Sequence, residues 1–354
     1  MATLPLDVQI LIIEWVLRSS QHARIDYATL RACALVCREW TPIAQRLLFR
    51  RIPRIPSRHD HGGISLLFHV LRAHPHLAAH VRSVRVGWTL SHPVLDMTLA
   101  LLELCPRVEG LSFISFVFQS FVNVAQTTRL RALYLKPTVL EVVGDEALVS
   151  SIVPMWPSVR VLLVRTNDGN GGPQVAQALP TRVPSSVQAL TLPASNVRRI
   201  LSPSEPLPAL HHFELTDPMW VDPAWCQHLR TVGVLPQIRT LYLKGQFPPQ
   251  DVLDQLVRLD SLVVTEPPEQ HVTLPPLLHH FGYHYLRLGH RNVSPEFLTA
   301  ALGPLSDLRL VTVTRHVGRD MQAALKGMCN ARGVDFASYE TPDCFPQPRH
   351  IDWI

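Results

Sequence analysis

One hydrophobic pattern recurs along most of the chain: an apolar residue, two variable residues, an apolar residue, one variable residue, an apolar residue, and then a turn. Successive copies lie about 20 to 30 residues apart, which is a period typical of repeat proteins. The last two apolar positions alternate with a variable one, as in a strand that buries one face, so each copy predicts a short strand. The copies are Val81/Val84/Val86, Val108/Leu111/Phe113, Leu130/Leu133/Leu135, Val159/Leu162/Val164, Val187/Leu190/Leu192, Leu210/Phe213/Leu215, Ile238/Leu241/Leu243, Leu259/Leu262/Val264, Tyr283/Leu286/Leu288 and Leu308/Val311/Val313.

The segments between these copies often have the apolar spacing of helices. Strand, crossover helix and strand at this period build a parallel sheet, and a long series of such units favours a solenoid over an ordinary βαβ domain. We therefore predict an α/β solenoid of parallel strands and crossover helices over residues 64–340, with a last strand at 334–339 and a capping tail at 341–354. The predicted helices are 65–79, 94–104, 139–153, 249–256, 295–302 and 319–330.

These copies resemble irregular leucine-rich repeats. They depart from the strict repeat because the Asn that normally follows the strand is missing in nearly every copy. Around residues 277–288, next to Pro275-Pro276, the pattern fits two registers, and the sequence leaves both open.

Before the repeats, residues 4–49 show a different pattern, which predicts three short helices. Pro5 suits the start of a helix, and Asp7 in its first turn suits the exposed N–H groups there. Leu30, Cys33 and Cys37 fall on one face of the second helix. So short a module carries more apolar residues than its own core needs, so they pack either on the rest of the chain or on a partner. Residues 51–63 have breaker residues at both ends and predict a linker.

Several motifs in residues 4–50 occur together in one known family. They are Leu4-Pro5 followed by Asp7, the apolar pair Ile12-Ile13, Leu30 and Leu35 ahead of Val36-Cys37-Arg38-Glu39-Trp40, and the apolar end at Leu47 and Phe49. With these motifs the stretch resembles an F-box, although Asp7 replaces the commoner Glu and the connection at 18–28 is long for the family.

The resemblance implies that residues 1–50 bind the Skp adaptor, which connects to cullin and RING subunits of an SCF-type ubiquitin ligase. The chain would then be a non-catalytic subunit that recognises a protein substrate through its repeats. The alternatives are a non-degradative interaction scaffold and a receptor for a small ligand. The residues that the resemblance assigns to the adaptor contact are Leu4, Pro5, Ile12, Leu30, Leu35, Val36, Cys37 and Trp40.

The variable position between the two inward apolar residues of each strand, and the position after them, face the opposite side of the sheet. These positions are Arg85, Ser112, Tyr134, Lys136, Arg165, Glu214, Thr216, Tyr242, Lys244, Arg287, Thr312 and Thr314. Their excess of cations predicts a concave recognition strip for an acidic or phosphorylated segment, whereas the simpler interpretation is a solvated basic face. The predicted substrate-binding residues are Arg85, Tyr134, Lys136, Arg165, Tyr242, Lys244 and Arg287.

Composition narrows the classes of function. The net charge of +5 is spread along the chain without a dense Lys/Arg block, which gives no support to nucleic-acid binding. The six cysteines are scattered, as in proteins of a reducing compartment. No signal peptide is visible, and no apolar run reaches the ~20 residues of a membrane span. We therefore expect a cytoplasmic or nuclear protein.

Candidate motifs for metal and cofactor binding are incomplete in this sequence. The pairs and triplets His59/His61, His74/His76/His80 and His280/His284 lack the flanking Glu or Cys pair of a metal site. The glycine-rich run at 168–173 lacks the Lys-Ser/Thr of a phosphate loop. We predict no metal, no cofactor and no catalytic centre.

Overall fold

The fold is described by a computed structural model of the 354-residue chain. It covers residues 5, 7–8, 10–12, 27–52, 61–88, 92–115, 124–144, 146–166, 182–193, 197–201, 206–219, 224–245, 247–266, 268, 271–284, 295–314 and 317–339. The chain forms two compact units that divide between Ile152 and Val153.

The N-terminal residues of the first unit are helical where they are described. Asp7–Val8 and 10–12 are helical, followed by α1 (Tyr27–Val36) and α2 (Trp40–Arg50). Leu30, Ile43 and Leu47 form a small buried core, on which Ile10, Trp40 and Leu48 pack. The Thr41 hydroxyl lies 2.8 Å from Ala34 O and 3.0 Å from Cys37 O, which joins the two helices at their turn. Residues 13–26, with most of the long connection, lie outside the described residues.

The rest of the first unit alternates strands and helices. Its elements are β1 (Arg51–Ile52), α3 (His61–Ala73), α4 (Pro75–Ala78), β2 (Ser83–Trp88), α5 (His92–Leu104), β3 (Gly110–Ser115), α6 (Val124–Ala132), β4 (Val139–Gly144) and α7 (Glu146–Ile152). The pairs β1–β2, β2–β3 and β3–β4 are parallel. The predicted linker at 51–63 thus begins with a strand and ends inside a helix, and its residues 53–60 lie outside the described part.

The second unit continues the alternation with shorter connections. Its elements are a 3-10 turn (Val153–Met155), β5 (Val161–Thr166), β6 (Ala189–Leu192), α8 (Val197–Ile200), β7 (His212–Met219), α9 (Ala224–Val232), a 3-10 turn (Leu235–Gln237), β8 (Thr240–Gly245), α10 (Gln250–Leu253), β9 (Ser261–Val264), β10 (His280–Tyr283), α11 (Pro295–Leu302), β11 (Leu310–Thr314), α12 (Arg319–Arg332) and β12 (Asp335–Tyr339). Each strand pairs in parallel with the next along the chain. The predicted α/β fold class, with parallel strands and crossover helices, is confirmed.

A tight turn leads into each of the strands β5 to β10. In the turn 207–210 the Leu210 N–H donates to Leu207 O at 3.1 Å, and Pro208 holds the second position. Proline suits that position because its fixed φ matches the turn. The same bond closes the turns 156–159, 184–187, 235–238, 256–259 and 275–278. An apolar residue followed by proline thus precedes several of these strands, and this sequence signal did not enter the predictions above.

Backbone hydrogen bonds also join the repeats just before their strands. His211 O accepts the N–H of Arg239 at 2.8 Å and of Thr240 at 2.9 Å. His279 O likewise accepts two N–H groups of the next repeat, those of Arg309 and Leu310. The stacking of repeats therefore rests on main-chain bonds that do not depend on side-chain identity, which suits a chain whose repeats lack the usual Asn.

One face of the strands forms the core. Its apolar positions are buried in every strand that follows the predicted pattern, and Phe113, Phe213 and Phe281 are fully buried. Truncation of such a phenylalanine to Ala costs about 3–5 kcal/mol. The last helix ends at Gly333, whose φ of 67° and N–H bond to Asn330 O close the helix before β12.

One copy of the pattern was wrongly placed at Leu130/Leu133/Leu135. The first part of that segment lies in α6 and the rest in a turn, whereas the strand is β4 at Val139–Gly144, where a helix was predicted. The leucines match the spacing by coincidence, because Leu130 is also at a buried helical position. The run of β-branched residues Val139, Val142 and Val143 was the better signal for a strand.

The open register around 277–288 is settled by the structure. The strand is His280–Tyr283, so the copy is Leu278/Phe281/Tyr283, and the copy at Tyr283/Leu286/Leu288 was wrong. The turn 275–278 fixes this register, because it must precede the strand as it does in the other repeats. The other eight copies coincide with strands.

Candidate functional site

Large apolar side chains are exposed on the N-terminal helices. Leu35 is 87% exposed, Leu11 64% and Val36 63%, with Val8 and Ile12 near 38%. We call these five residues the apolar patch. On α1, Leu30 and Cys33 take the buried face by the i, i+3 rule, so Leu35 and Val36 near its end point away from the core. Exposed apolar side chains on neighbouring helices are typical of interaction surfaces.

The residues assigned to the adaptor contact fall into three groups. Pro5, Ile12, Leu35 and Val36 are exposed, and Cys37 is half-buried. Trp40 is half-buried and packs against the small core, while Leu30 is completely buried. Leu30 was therefore wrongly placed on the surface, and it acts only by supporting the module from inside. Leu4 lies outside the described residues. Val8 and Leu11 were not assigned to the adaptor contact, although both are exposed.

The second face of the sheet, opposite the core, carries a buried carboxylate in the first unit. Glu141 is 4% exposed, and Ser112 Oγ donates a hydrogen bond to its Oε2 at 2.6 Å. Arg85 Nη2 lies 3.5 Å from the same oxygen. Nearby, burial lowers the pKa of Arg51, and the positive charge of Arg85 lowers it further. The Arg85 guanidinium thus lies beside the carboxylate, and the charge of Glu141 also acts on Arg51.

A similar cluster lies on the second face of the second unit. Thr191 Oγ1 donates to Glu214 Oε2 at 3.1 Å, from the strand before it, as Ser112 does to Glu141. Burial raises the pKa of Glu214, while the charges of Lys244 and Arg165 act in the opposite direction. Both clusters therefore combine a Glu, buried in the case of Glu141 and half-buried in the case of Glu214, with a hydroxyl donor on the neighbouring strand.

Further along the same face, a histidine connects three strands. His280 Nδ1 lies 2.8 Å from Ser261 Oγ, and its Nε2 lies 2.9 Å from Thr312 Oγ1. Burial lowers the pKa of His280, so the neutral ring donates through one nitrogen and accepts through the other. Gly282 packs closely against this row of side chains. A Cβ at its position would lie 3.0 Å from Thr312 Oγ1.

A second histidine on this face is more deeply buried. His284 is 1% exposed, and burial lowers its pKa to about 3, with a further contribution from His280. Its ring packs edge-on against Tyr242, with 5.6 Å between ring centroids. Imidazole is neutral in such a site, so these rings build a packed polar layer.

The predicted recognition strip is only partly assembled. Arg85, Arg165, Tyr242 and Lys244 lie on strands and on the second face, and their recognition role stays a prediction. Tyr134 and Lys136 were wrongly included, because both lie in the exposed turn between α6 and β4. Arg287 lies outside the described residues.

Other positions of the strip turned out to be covered. Ser112, Thr312 and Thr314 are each at most 2% exposed, whereas Arg85, Tyr242 and Lys244 are half-buried and Arg165 is exposed. Glu141, Thr191, His280 and His284 were missed. Glu141 could have been found only with the correct register of β4, since it then aligns with Ser112.

Other chemistry is sparse in the part of the chain that the structure describes. Within it, no group of three or more His, Cys, Asp or Glu side chains could hold a metal ion. Burial raises the pKa of the Cys105 and Cys226 thiols to about 12, which keeps them protonated and unreactive. No helix among the described residues is both long and apolar enough to cross a bilayer.

Comparisons with known proteins give only distant structural matches. No family model matches the chain, and no curated protein matches it. The leucine-rich repeat-containing protein LegL7 from Legionella pneumophila is similar over 71% of this chain and 82% of its own, with 14% identity and a TM-score of 0.40. A TLR13–ssRNA13 complex is similar over 77% of this chain but only 54% of its own, with 13% identity and a TM-score of 0.30. At this level of similarity the matches assign the chain to no family and to no partner.

Proposed function

We propose that the chain is a substrate-recognition subunit of an SCF-type ubiquitin ligase, in the cytoplasm or nucleus. Its N-terminal helices bind the Skp adaptor, and its repeats bind a protein substrate. The observation that supports this proposal is the apolar patch. Leu35 and Val36 belong to the motif that resembles an F-box, and both are exposed on a helix whose other face is buried.

The energetics favour a partner on this patch. Full burial of an aliphatic side chain stabilises a complex by about 1.5–3 kcal/mol. Leu35, Val36 and Leu11 are more than half exposed, so most of this stabilisation is still available to an adaptor. The small core of Leu30, Ile43 and Leu47 is already complete without them.

In this function the chain does no chemistry. Ubiquitin would be transferred by a conjugating enzyme on the RING subunit, and this chain would hold the substrate where its lysines meet the activated thioester. Such positioning raises the effective concentration of the two reactants. The parallel repeats offer a broad surface for that purpose.

The test of the proposal replaces two exposed residues. The double variant Leu35→Asp/Val36→Asp should fold and should weaken binding of purified Skp adaptor at least about tenfold, because two apolar contacts are lost and charge is introduced. The matched control is Leu66→Asp, a 66% exposed apolar residue on α3 that lies outside the motif. Full adaptor binding by the double variant would contradict the proposal. A degradation role is then separated from a scaffold role by the partner's half-life with and without a proteasome inhibitor.

A further inference from the structure

A groove lined by prolines opens on the second unit. Its volume is about 400 Å³, and it is lined by Pro154, Pro157, Pro184 and Pro206, with Arg182, Val183 and Ser185. These residues belong to the turns ahead of three consecutive strands, β5, β6 and β7. The volume falls within the ~300–1,000 Å³ of ligand pockets, so one bulky side chain fits easily.

The groove is held in a fixed shape. Ser186 Oγ lies 2.6 Å from Pro157 O and 2.7 Å from Val159 O, so its hydroxyl joins the turn before β6 to the turn before β5. Gln237 Nε2 donates to Leu207 O at 2.6 Å and holds the next turn in the same way. Val183 is buried beneath the opening. A pocket that is already ordered binds without a large loss of conformational entropy.

The lining chemistry favours an aromatic ring. Proline presents a flat apolar ring and has no backbone N–H, so the walls offer apolar contact and few donors. An aromatic side chain brings a large apolar area with few rotatable bonds, and its negatively polarised face suits the C–H groups of the pyrrolidine rings.

The charge around the groove favours an acidic ligand. Among the described residues that line it, Arg182 is the one charged side chain, and none is acidic. Arg182 lines the groove and is exposed, so its guanidinium can form a bidentate pair with a carboxylate.

We propose that this groove binds an acidic peptide segment of a partner protein, with an aromatic side chain between the prolines and a neighbouring carboxylate on Arg182. This inference rests on the proposed protein-binding role of the repeats and is independent of the adaptor contact. A peptide fits better than single-stranded RNA, because bases need aromatic platforms and several cations, while the described lining of this groove includes no aromatic residue and a single cation.

The test uses the full chain with methyl-labelled valine and follows the Val183 signals by NMR. The probes are a capped acidic peptide with a central Trp, the same peptide with Ala in place of Trp, and the same peptide with Lys in place of its acids. We expect the acidic Trp peptide to shift the Val183 methyl signals and the other two to leave them in place. Arg182→Glu should weaken binding of the Trp peptide at least about tenfold.

Two control variants occupy equivalent turns outside the groove. Arg258→Glu changes an exposed cation of the turn 256–259, and Pro236→Ser changes a proline that matches Pro157 in position. Both should bind the Trp peptide within about twofold of the wild type, whereas Pro157→Ser should not. Equal losses in groove and control variants, no Val183 shift at millimolar peptide, or tighter binding of an oligouridylate would each overturn the inference. Adaptor binding in the same samples reports separately on the proposed function.

Discussion

The N-terminal helices expose apolar side chains, whereas the second face of the sheet buries polar ones. Leu35 is 87% exposed on α1, while Glu141 is 4% exposed on β4. The cause is geometric. Two short helices can bury only one stripe each, so their remaining apolar residues stay outside. Parallel strands stand about 4.8 Å apart in register, so each small side chain on a sheet face is covered by its neighbours on both sides.

The two surfaces therefore differ in both exposure and polarity, because one exposes apolar side chains and the other buries polar ones. The residues of the apolar patch are exposed, and a docking role for them is the proposal made above. The clusters around Glu141 and Glu214 use their hydroxyl donors and nearby cations within the sheet, and these groups hold the second face together. Recognition of a partner by Arg85 therefore has to compete with the ion pair that it already forms with Glu141.

The largest effect should distinguish a substitution on the buried side of α1 from one on its exposed side. Leu30→Ala should lower the free energy of unfolding of the helical module by about 2–5 kcal/mol, because Leu30 is completely buried. Leu35→Ala, on the same helix, should change it by less than about 0.5 kcal/mol. Thermal unfolding followed by circular dichroism measures both. Similar losses in the two variants would mean that Leu35 is covered in solution.

A smaller effect should follow from removal of the buried carboxylate in the sheet. Glu141→Ala leaves the Ser112 hydroxyl buried without its acceptor and separates Arg85 from its carboxylate, which should cost about 1.5–3 kcal/mol. The control is Glu109→Ala, a half-exposed partner of Arg82 at 3.6 Å, whose loss should cost under about 1 kcal/mol. Chemical denaturation compares the two variants. If Glu141→Ala is as stable as the control, the cluster does not hold the second face.

The fold was predictable because the pattern is repeated, so that an error in placing one copy does not change the predicted fold class. The alternation at Leu210/Phe213/Leu215 reports burial directly, since one face of each strand lies in the core. The error at Leu130/Leu133/Leu135 arose because leucines at a helix end can match the same spacing by chance. The turn proline, as at Pro208, would have given no support to that copy, because Thr128 stands at the matching position.

The candidate sites were less predictable for a different reason. A motif identified Leu35 and Val36, but it could not separate them from Leu30, since burial depends on how the helices pack. On the sheet, Arg85 and Glu141 are 56 residues apart in sequence and meet only through the register of three strands. Sequence spacing carries no information on such a contact.

The smallest effect concerns pH and the buried histidines of the second face. Burial lowers the pKa of His284 to about 3, whereas an unfolded histidine has a pKa near 6.5. Below about pH 7 the unfolded state therefore binds more protons than the folded state. The contribution of His284 to stability is complete above that pH and is lost as the pH falls, by at most about 1.4 kcal/mol per pH unit.

Comparison with a variant that cannot titrate isolates this contribution from that of Glu214, whose raised pKa acts in the opposite direction. His284→Phe keeps a ring next to Tyr242, and its free energy of unfolding should fall less than that of the wild type between pH 7 and pH 5.5. Denaturant titrations at each pH provide the measurement. Parallel curves for the wild type and His284→Phe would show that His284 is accessible to protons in the folded protein, and that the second face is open where the structure places it under cover.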